Sequence, residues 1–238
     1  MRLSPKALAL QVPLRNLLKE TTTLLGTGRC DLRDIRQVVR IIMADQPAMA
    51  VLAKLYRHLA RTSPGIDLVI QPWQGEAAAV ENLSNGTADL AVAVFRRDEP
   101  PIQRKELLSD HYVAAMRKGH PAARRFNLDR WLAYPHVLVS ARSSARGEVD
   151  HLLSRMGRAR RVGIVVPSFA MVPPLLENSD LIALVPSRSL PENFKEVLVV
   201  RDPPLAAESF QLHLAWHARR NTDQATQHVA TAIHQLMV

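Results

Sequence analysis

Hydrophobic and polar positions change their spacing several times along this chain, and each change marks an element. After Ser4-Pro5, residues Leu8, Val12, Leu14, Leu17, Leu18, Leu24 and Leu25 recur at roughly helical intervals. A long helix is therefore predicted from Pro5 to about Leu25, with Ser4 as its cap, a kink at Pro13 and a stop at Gly26-Thr27-Gly28. From Gln37 the run Val38-Val39-Arg40-Ile41-Ile42-Met43 is short and rich in branched side chains, which predicts a buried strand. Beyond Pro47 the spacing of Ala48, Val51, Leu52, Leu55 and Leu59 is helical, with Lys54, Arg57, His58 and Arg61 on the opposite face. A strand over Ile66 to Gln71, a helix over Ala77 to Leu83 stopped at Asn85-Gly86, and a strand over Ala88 to Phe95 complete a βαβαβ series. Such a series predicts a parallel sheet with right-handed crossovers.

The alternation then restarts. Arg104 to Asp110 and Tyr112 to Met116 read as strands, followed by a helix near Leu128 to Ala133 and a strand over His136 to Ser140. Gly147 to Met156 is helical, Arg161 to Val166 a strand, Met171 to Leu176 a short helix and Leu181 to Val185 a strand. Phe210 to Trp216 is a last strand and Asp223 to Met237 a closing helix, with Ala225, Val229, Ala232, Ile233 and Leu236 on one face. The fold class read from this order is α/β with two Rossmann-like lobes behind a long N-terminal helix.

Composition narrows the function. The 238 residues are 47% hydrophobic and 22% charged, which argues against disorder as a whole-chain state. The formal net charge is +9, and the first 36 residues carry seven Lys or Arg against three acids. A basic excess of this kind bears on partners and solubility rather than on fold. The single cysteine, Cys30, excludes an internal disulfide framework and favours a reducing compartment, the cytosol. The N-terminus lacks the apolar core of an export signal, and the longest weakly polar stretch, residues 163–176, is too short and too rich in proline to span a bilayer, so no membrane partner is expected.

In open parallel sheets, ligands settle beyond the carboxyl ends of the strands, where helix N-termini offer unpaired N–H groups. The segments at those ends are Ala44-Asp45-Gln46 and Phe95 in the first lobe, and residues 140–144 and Pro167-Ser168-Phe169-Ala170 in the second. Polar donors beside an aromatic wall suit a small organic ligand. No catalytic pattern accompanies them: Gly-x-Ser-x-Gly, a phosphate-binding glycine loop and His-Glu-x-x-His are all missing from the sequence. His213 and His217 are four apart on a strand, which is not the spacing of a helical metal pair, and no catalytic role, metal or cofactor is expected.

At this point the chain resembles a LysR-type transcriptional regulator. The resemblance rests on residues 3–10, Pro64-Gly65-Ile66-Asp67-Leu68, residues 83–92 from Leu83-Ser84-Asn85-Gly86 to Val92, Lys118-Gly119-His120-Pro121, Gly147-Glu148-Val149-Asp150, Arg160-Arg161-Val162, Val166-Pro167-Ser168-Phe169 and Ser179-Asp180-Leu181-Ile182-Ala183. Each piece is weak alone, but their order and spacing span essentially the whole chain. The resemblance implies a periplasmic-binding-protein-like effector domain whose two lobes are joined by crossing strands. It divides the chain into residues 1–30, the linker helix and the end of a DNA-binding domain; lobe I, residues 31–110 plus 208–238; and lobe II, residues 111–207. The crossovers are expected near Tyr112 to Met116 and Phe210 to Trp216.

The resemblance also implies partners: a small-molecule co-inducer, a homodimer or homotetramer paired through the linker helix, and DNA reached through an N-terminal winged helix-turn-helix mostly upstream of Met1. Ligand-binding positions carried over from the family are Asp45, Gln46, Phe95, Ser140, Arg142, Ser168 and Phe169. Two depart from its usual pattern: Ala44-Asp45 stands where many relatives have a hydroxyl residue, and Ser168 where close relatives often have histidine. The resemblance around Val166 to Phe169 points toward relatives that answer to aromatic acids. Plainer readings stand beside these. Phe169 is either a pocket wall or plain core, and Arg142 either a bidentate carboxylate clamp or a solvated charge. Asp45 would repel an anion and is expected to cap its own helix. Two rival classes are a stand-alone solute-binding protein of the same fold and an enzyme on this architecture.

Overall fold

The computed structural model describes residues 31–141, 147–191, 193–205 and 209–238, together with Pro13, Leu14 and Leu17. The predicted linker helix lies outside the described residues apart from those last three, which are helical and exposed. Cys30 lies outside them too.

The first βαβαβ series forms as its spacing predicts. Strand β1 (Gln37–Met43) leads into helix α1 (Asp45–Thr62), then β2 (Ile66–Pro72), α2 (Glu76–Asn85) and β3 (Leu90–Val94), with β1 parallel to both β2 and β3. The twofold alternation along β1 sends Val39, Ile41 and Met43 into one buried cluster with Val51, Leu55 and Leu59 of α1. Ile42 faces the other way, into a cluster with Ala79 and Leu83 of α2. Fully burying side chains of this size stabilises the fold by about 1.5–3 kcal/mol each. Helix α1 begins at Asp45, so Pro47 sits in its first turn, where a missing N–H costs nothing because those donors have no intrahelical acceptor. Helix α2 ends on Gly86 at φ 84°, a left-handed conformation that glycine adopts without strain, and Arg219 donates to the carbonyls of Leu83 and Ser84 in its last turn.

The sheet is mixed rather than parallel. After β4 (Ile102–Asp110) the chain crosses at His111 into a second sheet and returns between Arg201 and Phe210 as β10 (Phe210–His217), which inserts antiparallel between β3 and β4. The strand order is β2-β1-β3-β10-β4. The closing helix, named α6 below (Gln224–Met237), packs Val229 and Ile233 into the α1 cluster. Its start is fixed by Asp223, which accepts from the Thr226 N–H and the Gln37 amide and pairs with Arg220. Arg220 in turn reaches Asp89, whose second carboxylate oxygen accepts from the Arg40 N–H at 2.8 Å. One buried carboxylate thus ties β1, the start of β3 and the entry to α6.

The second sheet repeats the plan with shorter helices. Its elements are β5 (Tyr112–Arg117), α3 (Leu128–Leu132), β6 (His136–Val139), α4 (Glu148–Arg155), β7 (Val162–Val166), α5 (Val172–Glu177), β8 (Ile182–Pro186) and β9 (Leu198–Arg201), in the order β7-β6-β8-β5-β9. Strands β6, β7 and β8 are parallel, while β5 lies antiparallel between β8 and β9. Strand β9 was not expected from the sequence: four residues beside Asp202-Pro203 are too few to show a period, and only pairing with β5 defines them. The crossings also fall at His111 and between Arg201 and Phe210, one step outside the strands where the sequence placed them, because β5 and β10 are each absorbed into a sheet.

Candidate functional site

Between the carboxyl ends of the two parallel strand sets lies a cleft of about 1140 Å³, lined from the first lobe by Phe95 and Arg96 and from the second by Val139, Glu148 and Phe169. That volume lies just above the roughly 300–1,000 Å³ of typical small-molecule sites, room enough for a small organic ligand. Phe95 follows β3 and is 5% exposed; Trp73, after β2, meets its ring edge-on at 6.1 Å. Phe169 opens a 3-10 turn after β7 and packs against the apolar core of the second sheet while also walling the cleft, so the pocket and core readings of this residue are both true. Also on the lining are Tyr112 and Phe210, the first residues of β5 and β10, with ring centroids 5.1 Å apart. The two strands that receive the chain after its crossings are therefore joined by an aromatic contact on the cleft wall. Burial raises the Tyr112 phenol above its ordinary pKa and keeps it a neutral donor.

Charge enters the cleft in two ways. The Arg160 guanidinium donates two bonds to Asp150 at 2.8 and 2.9 Å, with only 3% of its side chain exposed, and lies over the Trp131 ring at 6.0 Å. Burial alone would raise the Asp150 pKa; bonds from Arg160 and the Gly147 N–H outweigh it and hold this carboxyl below its ordinary range. That pair is saturated, whereas Arg96 and Glu148 are paired in the open. Arg96 Nη2 donates to Glu148 Oε2 at 2.6 Å and Nη1 to Oε1, with side chains 62% and 67% exposed. This bond holds Glu148 below its ordinary pKa and raises that of Arg96. Glu76, at the first residue of α2, positions Arg96 by accepting the N–H groups of Arg96 and Arg97 at 2.8 and 3.0 Å.

Two buried polar atoms on the cleft lining, Trp131 Nε1 and His213 Nδ1, have no partner among the described residues. Burial lowers the pKa of His213, so its ring is neutral at physiological pH. Beneath them His136, in contact with Trp131 and bonded by Nε2 to the Trp131 carbonyl at 2.9 Å, is pushed down to about 4 by burial.

The sequence-derived site separates into parts. Phe95 and Phe169, one from each lobe, both line the cleft. Asp45, Gln46 and Ser168 come together elsewhere, at a direct contact between lobes: Ser168 Oγ and the Ala170 N–H donate to Asp45 Oδ2 at 2.6 and 3.0 Å, and the Gln46 amide reaches the Arg188 carbonyl at 3.4 Å. Asp45 therefore does not cap its own helix, whose N-cap is Ala44 with no side-chain bond; it caps the 3-10 turn of the opposite lobe, shared with Ser168. Ser140 is half-buried next to Val139, its N–H donating to the Val166 carbonyl at 2.9 Å. Arg142 lies outside the described residues. Sequence reasoning missed Arg96, Glu148, Tyr112, Trp131, Arg160 and His213. Their only signals were the position of Arg96 directly after Phe95 and of Glu148 at a helix start, and nothing in spacing joins residues 52 positions apart.

Among the described residues no group of three His, Cys, Asp or Glu is placed to hold a metal ion, and no helix is long and apolar enough to cross a membrane.

Comparison with known proteins agrees with this architecture. The family signature of the LysR substrate binding domain matches residues 33–237. The HTH-type transcriptional activator NagR of Ralstonia sp. is 31% identical over 94% of this chain and 75% of its own length. NahR of Pseudomonas putida, also named an HTH-type transcriptional activator, is 31% identical over 78% of this chain, and the match spans 62% of NahR. Among solved structures, the regulatory domain of MexT, a transcriptional activator in Pseudomonas aeruginosa, superposes with a TM-score of 0.69 at 28% identity, covering 84% of this chain and 97% of that domain. HinK, a LysR family transcriptional regulator from the same organism, shares the fold at 18% identity and a TM-score of 0.67, covering 98% of this chain and 80% of HinK. The chain thus belongs to the LysR family of transcriptional regulators, and residues 33–237 are its substrate-binding domain.

Proposed function

We propose that the chain is the effector-binding and oligomerising part of a LysR-type regulator, holding a small organic co-inducer of aromatic carboxylate type in the cleft between its lobes. The observation that carries this reading is the presence of Phe95 and Phe169, one from each lobe, on the lining of a single cleft of about 1140 Å³, with guanidinium groups on the same lining. Two aromatic faces favour a flat ring, and an arginine fork matches a carboxylate. Of the sequence-derived positions, Phe95 and Phe169 are assigned to ring contact, Ser140 and Arg142 to the carboxylate side, and Asp45, Gln46 and Ser168 to the lobe contact that responds to ligand. Binding replaces catalysis as the role of the site, in keeping with the names of the relatives.

A ligand shifts the lobes only by the difference in its affinity for their arrangements, so cleft contacts and subunit contacts are thermodynamically linked. The assembly is a homodimer or homotetramer acting in the cytoplasm, with DNA contacted by the helix-turn-helix domain that family members carry. A monomeric species in sedimentation at micromolar concentration contradicts the oligomer. For the ligand, thermal-shift titration with benzoate, hydroxybenzoates and aliphatic carboxylates is the test. A selective aromatic acid at about 100 times its Kd stabilises the folded state by about 2.7 kcal/mol. Phe169→Ala and Arg142→Ala each abolish that shift on this reading; an unchanged response in both moves the site elsewhere. A solute-binding protein of the same fold would show the same shift with no change in assembly.

A further inference from the structure

We infer that Glu148 is a built-in competitor for the effector's carboxylate: it occupies Arg96 across the cleft in the ligand-free state, and a ligand carboxylate takes its place on Arg96 and unlatches the lobes there. This rests on the cleft reading above and adds the chemistry by which the cleft selects an anion.

Four observations lead to it. First, the pair crosses the cleft: Arg96 follows β3 of the first lobe and Glu148 opens α4 of the second, and both residues line it. Second, Glu148 presents both carboxylate oxygens to the guanidinium fork, the geometry that a benzoate or any other carboxylate would adopt in its stead. Third, the exchange is cheap. Both side chains are largely exposed, and water and salt screen an exposed ion pair until little of its attraction is left. Displaced Glu148 returns to solvent at the first turn of α4, where a negative charge is favoured by the helix N-terminus. Fourth, Arg96 is held in place independently of Glu148, because Glu76 anchors the backbone N–H groups of residues 96 and 97. The backbone that carries the guanidinium therefore stays at the cleft when Glu148 leaves.

Arg142, assigned above to the same carboxylate, lies outside the described residues; among the described cations on the lining, neither Arg160 nor Arg155 fills this role. Arg160 is buried against Asp150 by two bonds, and removing that carboxylate would strand a buried charge. Arg155 lines the cleft seven residues along α4 from Glu148, roughly 10 Å at the helical rise, and carries no ion pair among the described residues. The ring environment also lies on the Arg96 side: Phe95 precedes it, and Tyr112 is close enough for its phenol to feel both Arg96 and Glu148.

The experiment is calorimetric titration of benzoate and of benzamide, its neutral analogue, into the full chain and five variants. Glu148→Gln is expected to tighten benzoate roughly three- to fivefold by removing the competitor, leaving benzamide unchanged. Arg96→Gln is expected to weaken benzoate about tenfold or more without affecting benzamide, and Arg96→Lys to fall between, since it keeps the charge and loses the fork. In the Arg96→Gln background, Glu148→Gln gives no further gain; Lys54→Gln, on the exposed face of α1 and away from the cleft, binds as the unmodified chain does. The proposal is overturned if Glu148→Gln weakens benzoate, if both ligands respond alike to the variants, or if the two substitutions act additively. Equal binding of benzoate and benzamide by the unmodified chain sinks the exchange but spares the cleft. Binding of neither, by any variant, removes the cleft reading and this inference with it.

Discussion

The two sheets share a topology and differ in what fills them. Each has three parallel strands extended by an antiparallel strand that arrives from a crossing, then an edge strand. The first is sealed by the 18-residue α1 and the 14-residue α6 over an aliphatic cluster around Ile41, Leu55, Val229 and Ile233. The second has helices of five, eight and six residues, and the cluster on its α4 side holds Trp131 and Met116 next to His136 and the Arg160–Asp150 pair. Long helices over aliphatic side chains make a rigid frame, since aliphatic packing is dense and asks for no polar partner. Short helices over an aromatic and ionic centre make a lobe whose stability depends on charge state, and that centre adjoins the cleft. On the proposed reading, the first lobe supports the cleft and the second responds to what enters it.

The largest expected effect lies in the second lobe. Arg160→Ala leaves Asp150 without its ion pair and costs about 3–5 kcal/mol, read as a lower midpoint in urea unfolding. In the first lobe, Leu55→Ala opens a cavity against β1 and costs about 2–5 kcal/mol. Hydrogen exchange sharpens the contrast: Arg160→Ala exposes amides of β6 and β7 first, Leu55→Ala those of β1 and β3. Loss of protection in both sheets at once from either variant would mean that the lobes unfold as one unit.

A pH series separates them further. His136 has a folded pKa of about 4 against 6.5 for the free side chain, so the unfolded chain takes up its proton first as pH falls. The stabilisation is complete above about pH 6.5 and is lost on the way down to pH 4, on the order of 3 kcal/mol. Asp150, also depressed when folded, loses stability in the same direction at lower pH. His136→Phe should flatten the decline between pH 6.5 and 4; an unaltered slope would place the sensitivity elsewhere. The smallest effect is at a helix start: Asn127 caps α3 through the Arg130 N–H at 2.9 Å, and Asn127→Ala costs about 1 kcal/mol in thermal unfolding.

The fold was largely legible because periodicity reports burial. Val39, Ile41 and Ile42 alternate as a two-faced strand demands, and Ala48, Val51, Leu55 and Leu59 repeat as a one-faced helix demands. What periodicity does not report is which strand lies beside which. The insertion of β10 between β3 and β4 and the existence of β9 depend on pairing between distant segments. The site followed the same rule. Phe95 and Phe169 were visible as aromatics at strand ends. Asp45 was seen as an acid at a helix start, but its partner is a turn 123 residues away. Nothing in the sequence sets Arg96 and Glu148 apart from other charged residues, and only the approach of one lobe to the other makes them a pair.

The central claim is that the space between Phe95 and Phe169 holds the signal molecule. A crystal structure grown with the aromatic acid that gives the strongest thermal shift tests it most directly. Electron density for a ring is expected between those two side chains, with its carboxylate within about 3 Å of a guanidinium and Glu148 turned away from Arg96, an approach set by charge-assisted hydrogen-bond lengths of about 2.7–2.9 Å. Density on an outer face of either lobe, with the Arg96–Glu148 pair intact and the cleft unchanged, would contradict it.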